Sequence, residues 1–466
     1  MPRQNAGELT TGKIFACLLK LAGPMFVGAM LQNLQSLIDL FWVGRLGSDS
    51  VAALAMSGTI LMLLFPIIMG AATGTVAMVS RFVGAGQMDK ASDTAGQSLL
   101  FALLAGLATG LAGWFFAGDL CRLLGASESV RALAQGYLGV SFLGCCTVFV
   151  LFIGNSALQG AGNVTLPMFA MMLANIINLA LDPVMIYGLL GFPRMEVRGA
   201  ALATVMSQAA AAALVVAFLS RGVSGLHVRA GRWRFQPALA WTLMRIGIPS
   251  SCQMLSRGLM SLILMRIVAL FGTAAIAAYG IGLRFHMIIL MPAFVLGNAT
   301  ATMVGQNLGA GKPDRARAAA WIATGIDEVF MVSWAAVMLA FAPAFMKFFD
   351  ANPEVVRIGA AYLRTVPMFY VFTALAIVLG RALDGAGQTM ATMIFTVASL
   401  WGVQVPLALF MSRVVHPATQ GIWWAIAIAG TLHGIMVTGW FLTGRWKSRP
   451  VGALRIAAPA ADQGSE

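Results

Sequence analysis

Apolar runs of membrane-crossing length follow one another along almost the whole chain, separated by short polar stretches rich in Gly, Pro, Lys and Arg. A helix needs roughly 20 apolar residues to cross the hydrocarbon core. Twelve such runs can be placed, centred near Leu31, Leu63, Ala105, Cys145, Ile176, Ala210, Leu255, Ile289, Ser333, Phe372, Thr396 and Gly430. The pattern predicts an all-α membrane protein with twelve transmembrane helices. The first run continues to Trp42 and lacks a small-residue cleavage site, so it reads as a retained first helix.

The runs repeat. Phe82-Val-Gly-Ala-Gly-Gln87 matches Asn307-Leu-Gly-Ala-Gly-Lys312, and Ala157-Leu-Gln-Gly-Ala-Gly162 matches Ala382-Leu-Asp-Gly-Ala-Gly387. Pro24 matches Pro249 and Gly47 matches Gly272, all at one offset (249 − 24 = 272 − 47 = 225). Six spans per half make the halves topologically equivalent, related by an axis along the membrane normal. Two pseudo-symmetric six-helix lobes follow: an N-lobe at 1–220, a cytoplasmic linker at 221–237, a C-lobe at 238–445 and a cytoplasmic tail at 446–466. Rocking of one lobe against the other is the expected motion. The Gly-Ala-Gly segments read as turns after helices, where glycine takes left-handed conformations. They fit neither a phosphate-cradling loop nor a dinucleotide fingerprint, since Pro313 stands where a Ser or Thr would hold magnesium. ATP is therefore not the expected energy source.

Composition agrees with the pattern. Hydrophobic residues make up 59% of the 466 and charged ones 10%, where soluble domains carry about a quarter charged. The net charge of +13 invites a nucleic-acid reading, but the basic residues sort by connection. Fifteen lie on one set, including Lys90, Arg221, Arg229, Arg232, Arg234, Lys312, Arg315 and Lys447, against eight on the other, such as Arg122 and Arg357. That asymmetry is the positive-inside pattern and places both termini in the cytoplasm. The partners are then a lipid bilayer and small molecules, with no nucleic acid. The five cysteines have no metal-ligand or disulfide spacing, and no cofactor is expected.

Ionisable residues inside a span cost a few kcal/mol each and face inward. Asp39 lies deep in the first span, with Gln32, Gln35 and Ser36 at three- and four-residue intervals on one face. Asn175, Asn178 and Asp182 repeat that spacing in the fifth span, just before Pro183, and Thr204 and Gln208 do so in the sixth. Such a hard-oxygen cluster can coordinate a small cation such as Na+, through Asp39, Asn178 and Asp182, or exchange protons. For the amides alone, hydrogen-bonded helix packing is the simpler reading. The paired carboxylates point to function, because buried like charges repel until something neutralises them. In the C-lobe the counterparts of Asp39 and Asp182 are Leu264 and Leu407. That lobe instead carries Arg257, Arg266, Arg284, Asp327 and Glu328, read first as intramembrane ion pairs that fix helix packing, with Gln253, Arg257 and Arg284 as cavity candidates. Asp384, beside Arg381, reads as a structural charge at a helix end.

Leu37-Ile-Asp-Leu-Phe-Trp-Val-Gly-Arg-Leu-Gly47, Ala157-Leu-Gln-Gly-Ala-Gly-Asn163, Asn175-Ile-Ile-Asn-Leu-Ala-Leu-Asp-Pro183 and Val304-Gly-Gln-Asn-Leu-Gly-Ala-Gly311 occur in this order. Together they resemble the multidrug and toxic compound extrusion (MATE) family of secondary antiporters, with a carboxylate pattern similar to its DinF-like branch. The resemblance covers nearly the whole chain and implies the MATE fold. It also implies export of varied, often cationic or amphiphilic, organic compounds in exchange for Na+ or H+, by a monomer in the bacterial inner membrane. The coupling-cation cluster of DinF-like members maps onto Asp39, Asn178, Asp182 and Thr204, with Gln32 in the same pocket. NorM-like members use C-lobe acids in spans seven and ten, where this chain has Arg257 and Gln388. A related lipid-linked precursor flippase is the alternative and would need a cationic cavity, to which Arg257, Arg266 and Arg284 could contribute. A passive channel fits less well, because the halves disagree at their polar positions. No enzymatic constellation is legible.

Overall fold

The computed structural model describes residues 8–228 and 236–448. Linker residues 229–235, tail residues 449–466 and Arg3 lie outside the described residues. The N-lobe comprises α1 (Glu8–Thr11), α2 (Ile14–Val43), α3 (Ser48–Leu61), α4 (Phe65–Gly84), α5 (Met88–Leu123), α6 (Glu128–Leu143), α7 (Cys145–Gly160), α8 (Thr165–Tyr187) and α9 (Glu196–Arg221). The C-lobe comprises α10 (Pro237–Ala269), α11 (Thr273–Gly309), α12 (Pro313–Phe349), α13 (Pro353–Thr365), α14 (Tyr370–Gly385), α15 (Thr389–Val397), α16 (Val405–Val414) and α17 (Ala418–Leu442). Among the described residues eleven segments are long and apolar enough to cross a membrane, and α6 with α7, bent by 50°, makes a twelfth span. Each of the twelve expected centres falls inside one of them.

Helix boundaries keep the sequence offset. The second and eighth spans start at Ser48 and Thr273 (273 − 48 = 225) and end at Gly84 and Gly309 (309 − 84 = 225). The fourth and tenth start at Glu128 and Pro353 (353 − 128 = 225). The Gly-Ala-Gly turns also repeat. Gly86, Gly162, Gly311 and Gly387 all have positive φ, between 69° and 87°. In each turn the next residue's N–H reaches back into the helix: Gln87 to Phe82 O, Asn163 to Leu158 O, Lys312 to Asn307 O and Gln388 to Leu383 O, at 2.8–2.9 Å. This satisfies carbonyls that a helix end otherwise orphans. Symmetry fails in one place that matters. Residues Ala398–Gln404 of the eleventh span form a π-helical stretch, whereas the fifth span stays α-helical where it carries its polar stripe.

The lobes meet along the half of the molecule that bears the helix ends near Gly84 and Gly309. There α4 packs on α10 and α11, and the start of α2 packs on α11 and α12. Glycines allow this approach. A Cβ on Gly84 would collide with the Gln306 carbonyl oxygen, and one on Gly309 with the Arg81 carbonyl oxygen. Both pairs keep the repeat (309 − 84 = 306 − 81 = 225), so the seam is reciprocal across the pseudo-twofold axis. Close backbone approach at small residues is how membrane helices gain dispersion contact without a hydrophobic drive. Hydrogen bonds cross the seam from Gln306 Nε2 to Gly160 O (2.9 Å), Gln159 Nε2 to Asn298 O (3.3 Å) and Arg81 to Ala386 O (3.3 Å).

Candidate functional site

Asp39, on α2, comes against Asn178 and Asp182, on α8, and Thr204, on α9. Asn178 and Asp182 are four residues apart and share a helix face; both are fully buried, and Asp39 is 8% exposed. The Asn178 amide donates to Asp39 Oδ1 and Asp182 Oδ1, each at 3.2 Å, and Thr204 Oγ1 donates to Asp39 Oδ2 at 3.3 Å. The two carboxyl groups share one donor, the Asn178 amide, which sets them side by side. Two carboxylates brought side by side in a low-dielectric setting repel unless something neutralises one of them. Asn178 Oδ1 and Asp182 Oδ2 accept no hydrogen bond. The donor set is therefore hard oxygen, with two orphaned acceptors, as an alkali cation or a shared proton requires. Among the described residues no group of three or more His, Cys, Asp or Glu side chains is placed to hold a metal ion.

The other candidates sort around this cluster. Gln35 is buried one turn from Asp39 with Nε2 unpaired, while Gln32 is half-buried. Ser36 is exposed and leaves the inward stripe. Asn175 is buried and donates to Met171 O at 2.9 Å; Gln208 is half-buried. Pro183 lies within α8, which continues to Tyr187, and the Tyr187 hydroxyl donates to Trp42 O at 3.0 Å. That bond pins span five to span one just beyond the acids. Tyr137, on α6, is buried within electrostatic reach of both carboxylates. A lone tyrosine among apolar residues carries no periodic signal, so the sequence offered no hint of it.

The C-lobe charges do not form the ion pairs expected of them. Among the described residues Arg257, Arg266, Arg284, Asp327 and Glu328 make no salt bridge. Arg266 and Arg284 are exposed, so of the three arginines only Arg257 lines the C-lobe cavity. Gln253 lines it too and donates to Thr396 Oγ1 at 2.9 Å. Asp384, expected at a helix end, does end α14 but is buried, bound by Thr392 Oγ1 at 2.7 Å and Arg381 at 3.5 Å. Asp327 is 2% exposed, and its Oδ2 and the Oε2 of Glu328 have no hydrogen-bond partner. An unpaired buried acid destabilises. Asp327→Asn is expected to raise stability by on the order of 1 kcal/mol. Thermal denaturation of the purified variant checks this; a fall in stability would give Asp327 a role of its own.

The MatE family model matches residues 24–184 and again 249–410. The two stretches start 225 residues apart (249 − 24) and together cover more than half of the chain. The chain belongs to the MatE family. It is 28% identical over 433 residues to a Shewanella oneidensis protein named FAD transporter, covering 92% of this chain and 94% of that one. It is 25% identical to a probable multidrug resistance protein NorM of Thermotoga maritima, over 93% of each chain. Among solved structures, a MATE transporter crystallised in a bent conformation superposes with TM-score 0.87 at 25% identity, covering 95% of this chain and 97% of that one. An outward-facing multidrug resistance MATE transporter gives the same TM-score at 24% identity, over 97% and 100%. The protein is thus a multi-span membrane transporter of the MatE family, with its carboxylate cluster wholly inside the first six spans.

Proposed function

We propose that this MatE protein is a cation-coupled efflux antiporter for small organic compounds, and that Asp39 and Asp182 carry the coupling ion. The observation behind this reading is the buried pair of carboxylates held by one amide, Asn178, with two acceptor oxygens unsatisfied. Sodium or a proton neutralises the pair and lets spans one, five and six close together; its release leaves mutual repulsion that loosens them. A ligand moves a conformational equilibrium only through its different affinity for the two states, and this cluster has such a difference built in. The basic linker face then lies in the cytoplasm, with both termini there.

Proteoliposomes with separately imposed sodium and proton gradients, loaded with a panel of organic dyes, test the reading. Dye extrusion is expected under at least one inward ion gradient and to stop when that gradient is collapsed. Extrusion at equal rates with no gradient would favour a passive pore or a gradient-independent flippase instead.

A further inference from the structure

The C-lobe does not repeat the N-lobe cluster, but it holds a pocket of its own in which basic groups outnumber acidic ones. At the 225 offset Gln32 becomes Arg257 (257 − 32) and Gln208 becomes His433 (433 − 208). Arg257, Gln253, Arg381 and Asp384 line a small cavity of about 30 Å³ that Met69 of the N-lobe also borders. Its groups are mostly committed. Asp384 is held by Thr392 and Arg381, the Gln253 amide by Thr396, and Ser250 donates to Thr73 at 3.1 Å. Arg257 is the exception, with neither hydrogen bond nor ion pair among the described residues, although Arg381, Asp384 and His433 lie within electrostatic reach. Two guanidinium groups against one carboxylate leave one positive charge in excess. An unbalanced charge at membrane depth is costly and marks a ligand path. A guanidinium's planar fork of donors suits a carboxylate or phosphate better than any neutral group.

We infer that this C-lobe pocket binds an anionic group of the transported solute, a carboxylate or phosphate taken by Arg257, so that the cargo is an acidic or zwitterionic organic compound. This rests on the antiport reading above and narrows its substrate class. The two lobes divide the labour by charge, a cation in one and the solute's anionic end in the other.

Rhodamine B and its ethyl ester differ only in one free carboxylate, and fluorescence anisotropy measures their binding to the purified protein without any gradient. The wild type is expected to bind the acid at least tenfold more tightly than the ester. Arg257→Gln should bring the two within about twofold by weakening the acid alone, and Arg257→Lys should keep part of the preference. Failure of the wild type to prefer the acid, or equal loss of both dyes in Arg257→Gln, overturns the inference. So does inorganic phosphate binding at Arg257 without displacing the acid dye, which would make the occupant a free ion. Loss of gradient-driven efflux with the acid preference intact would strike only at the antiport reading.

Discussion

Asp39→Asn is expected to lower ion-driven efflux at least a hundredfold while the protein still folds and inserts. The substitution keeps the side chain's volume and its capacity to bond with Asn178 and Thr204, whose present bonds to Asp39 are 3.2 and 3.3 Å. On the antiport reading, what it removes is one of the two negative charges that would hold the coupling ion. A charge pair about 4 Å apart at an effective dielectric of about 20 interacts by about 4 kcal/mol, roughly a thousandfold in affinity. Folding should not suffer, because burying an amide costs less than burying a carboxylate. Asp182→Asn should behave alike, since Asn178 holds both acids equally. Reconstituted efflux under the driving gradient, beside a monodispersity check, reads the outcome. Undiminished efflux in a folded Asp39→Asn protein would remove the cluster from the transport cycle.

Much of this was legible before the structure. Hydropathy placed the spans because lipid demands continuous apolar helices. Four sequence matches exposed the repeat because the same glycine turns recur at its helix ends. Asp39, Asn178, Asp182 and Thr204 were found because inward-facing polar residues recur at helical spacing on three spans, and the structure brings all four into one hydrogen-bonded group. The C-lobe was misread because a charge in a span invites a partner, and spacing cannot say whether one arrives. Arg266 and Arg284 are exposed, Asp327 stays alone among the described residues, and Asp384 takes Arg381 and Thr392. Tyr137 and the lobe seam are contacts between helices distant in sequence, which periodicity within one helix does not encode.

That seam carries the second large effect. Gly84→Ala is expected to lower transport at least tenfold without weakening cation binding in the N-lobe. The added Cβ would lie inside the contact radius of the Gln306 carbonyl oxygen, and its next neighbours there are Gln306 backbone atoms as well, so no side chain can swing aside. Spans two and eight must separate, which stretches the Gln306–Gly160 bond of 2.9 Å and the Arg81–Ala386 bond of 3.3 Å. Each 1.4 kcal/mol of penalty shifts the balance between lobe arrangements tenfold, always against the one closed at this face. Gly309→Ala should reproduce the effect, because it meets the Arg81 carbonyl in the symmetric contact. Gly58→Ala, with nothing within 4 Å of the new atom, serves as the silent control. Ser80 is fully buried opposite Gly305 across the seam, so a cysteine introduced there, with the five native cysteines removed, reports the opening. Its thiol should label slowly in the parent and quickly in Gly84→Ala. Wild-type transport together with a still-protected thiol would show that the seam yields without cost, and that alternation of the lobes is governed elsewhere.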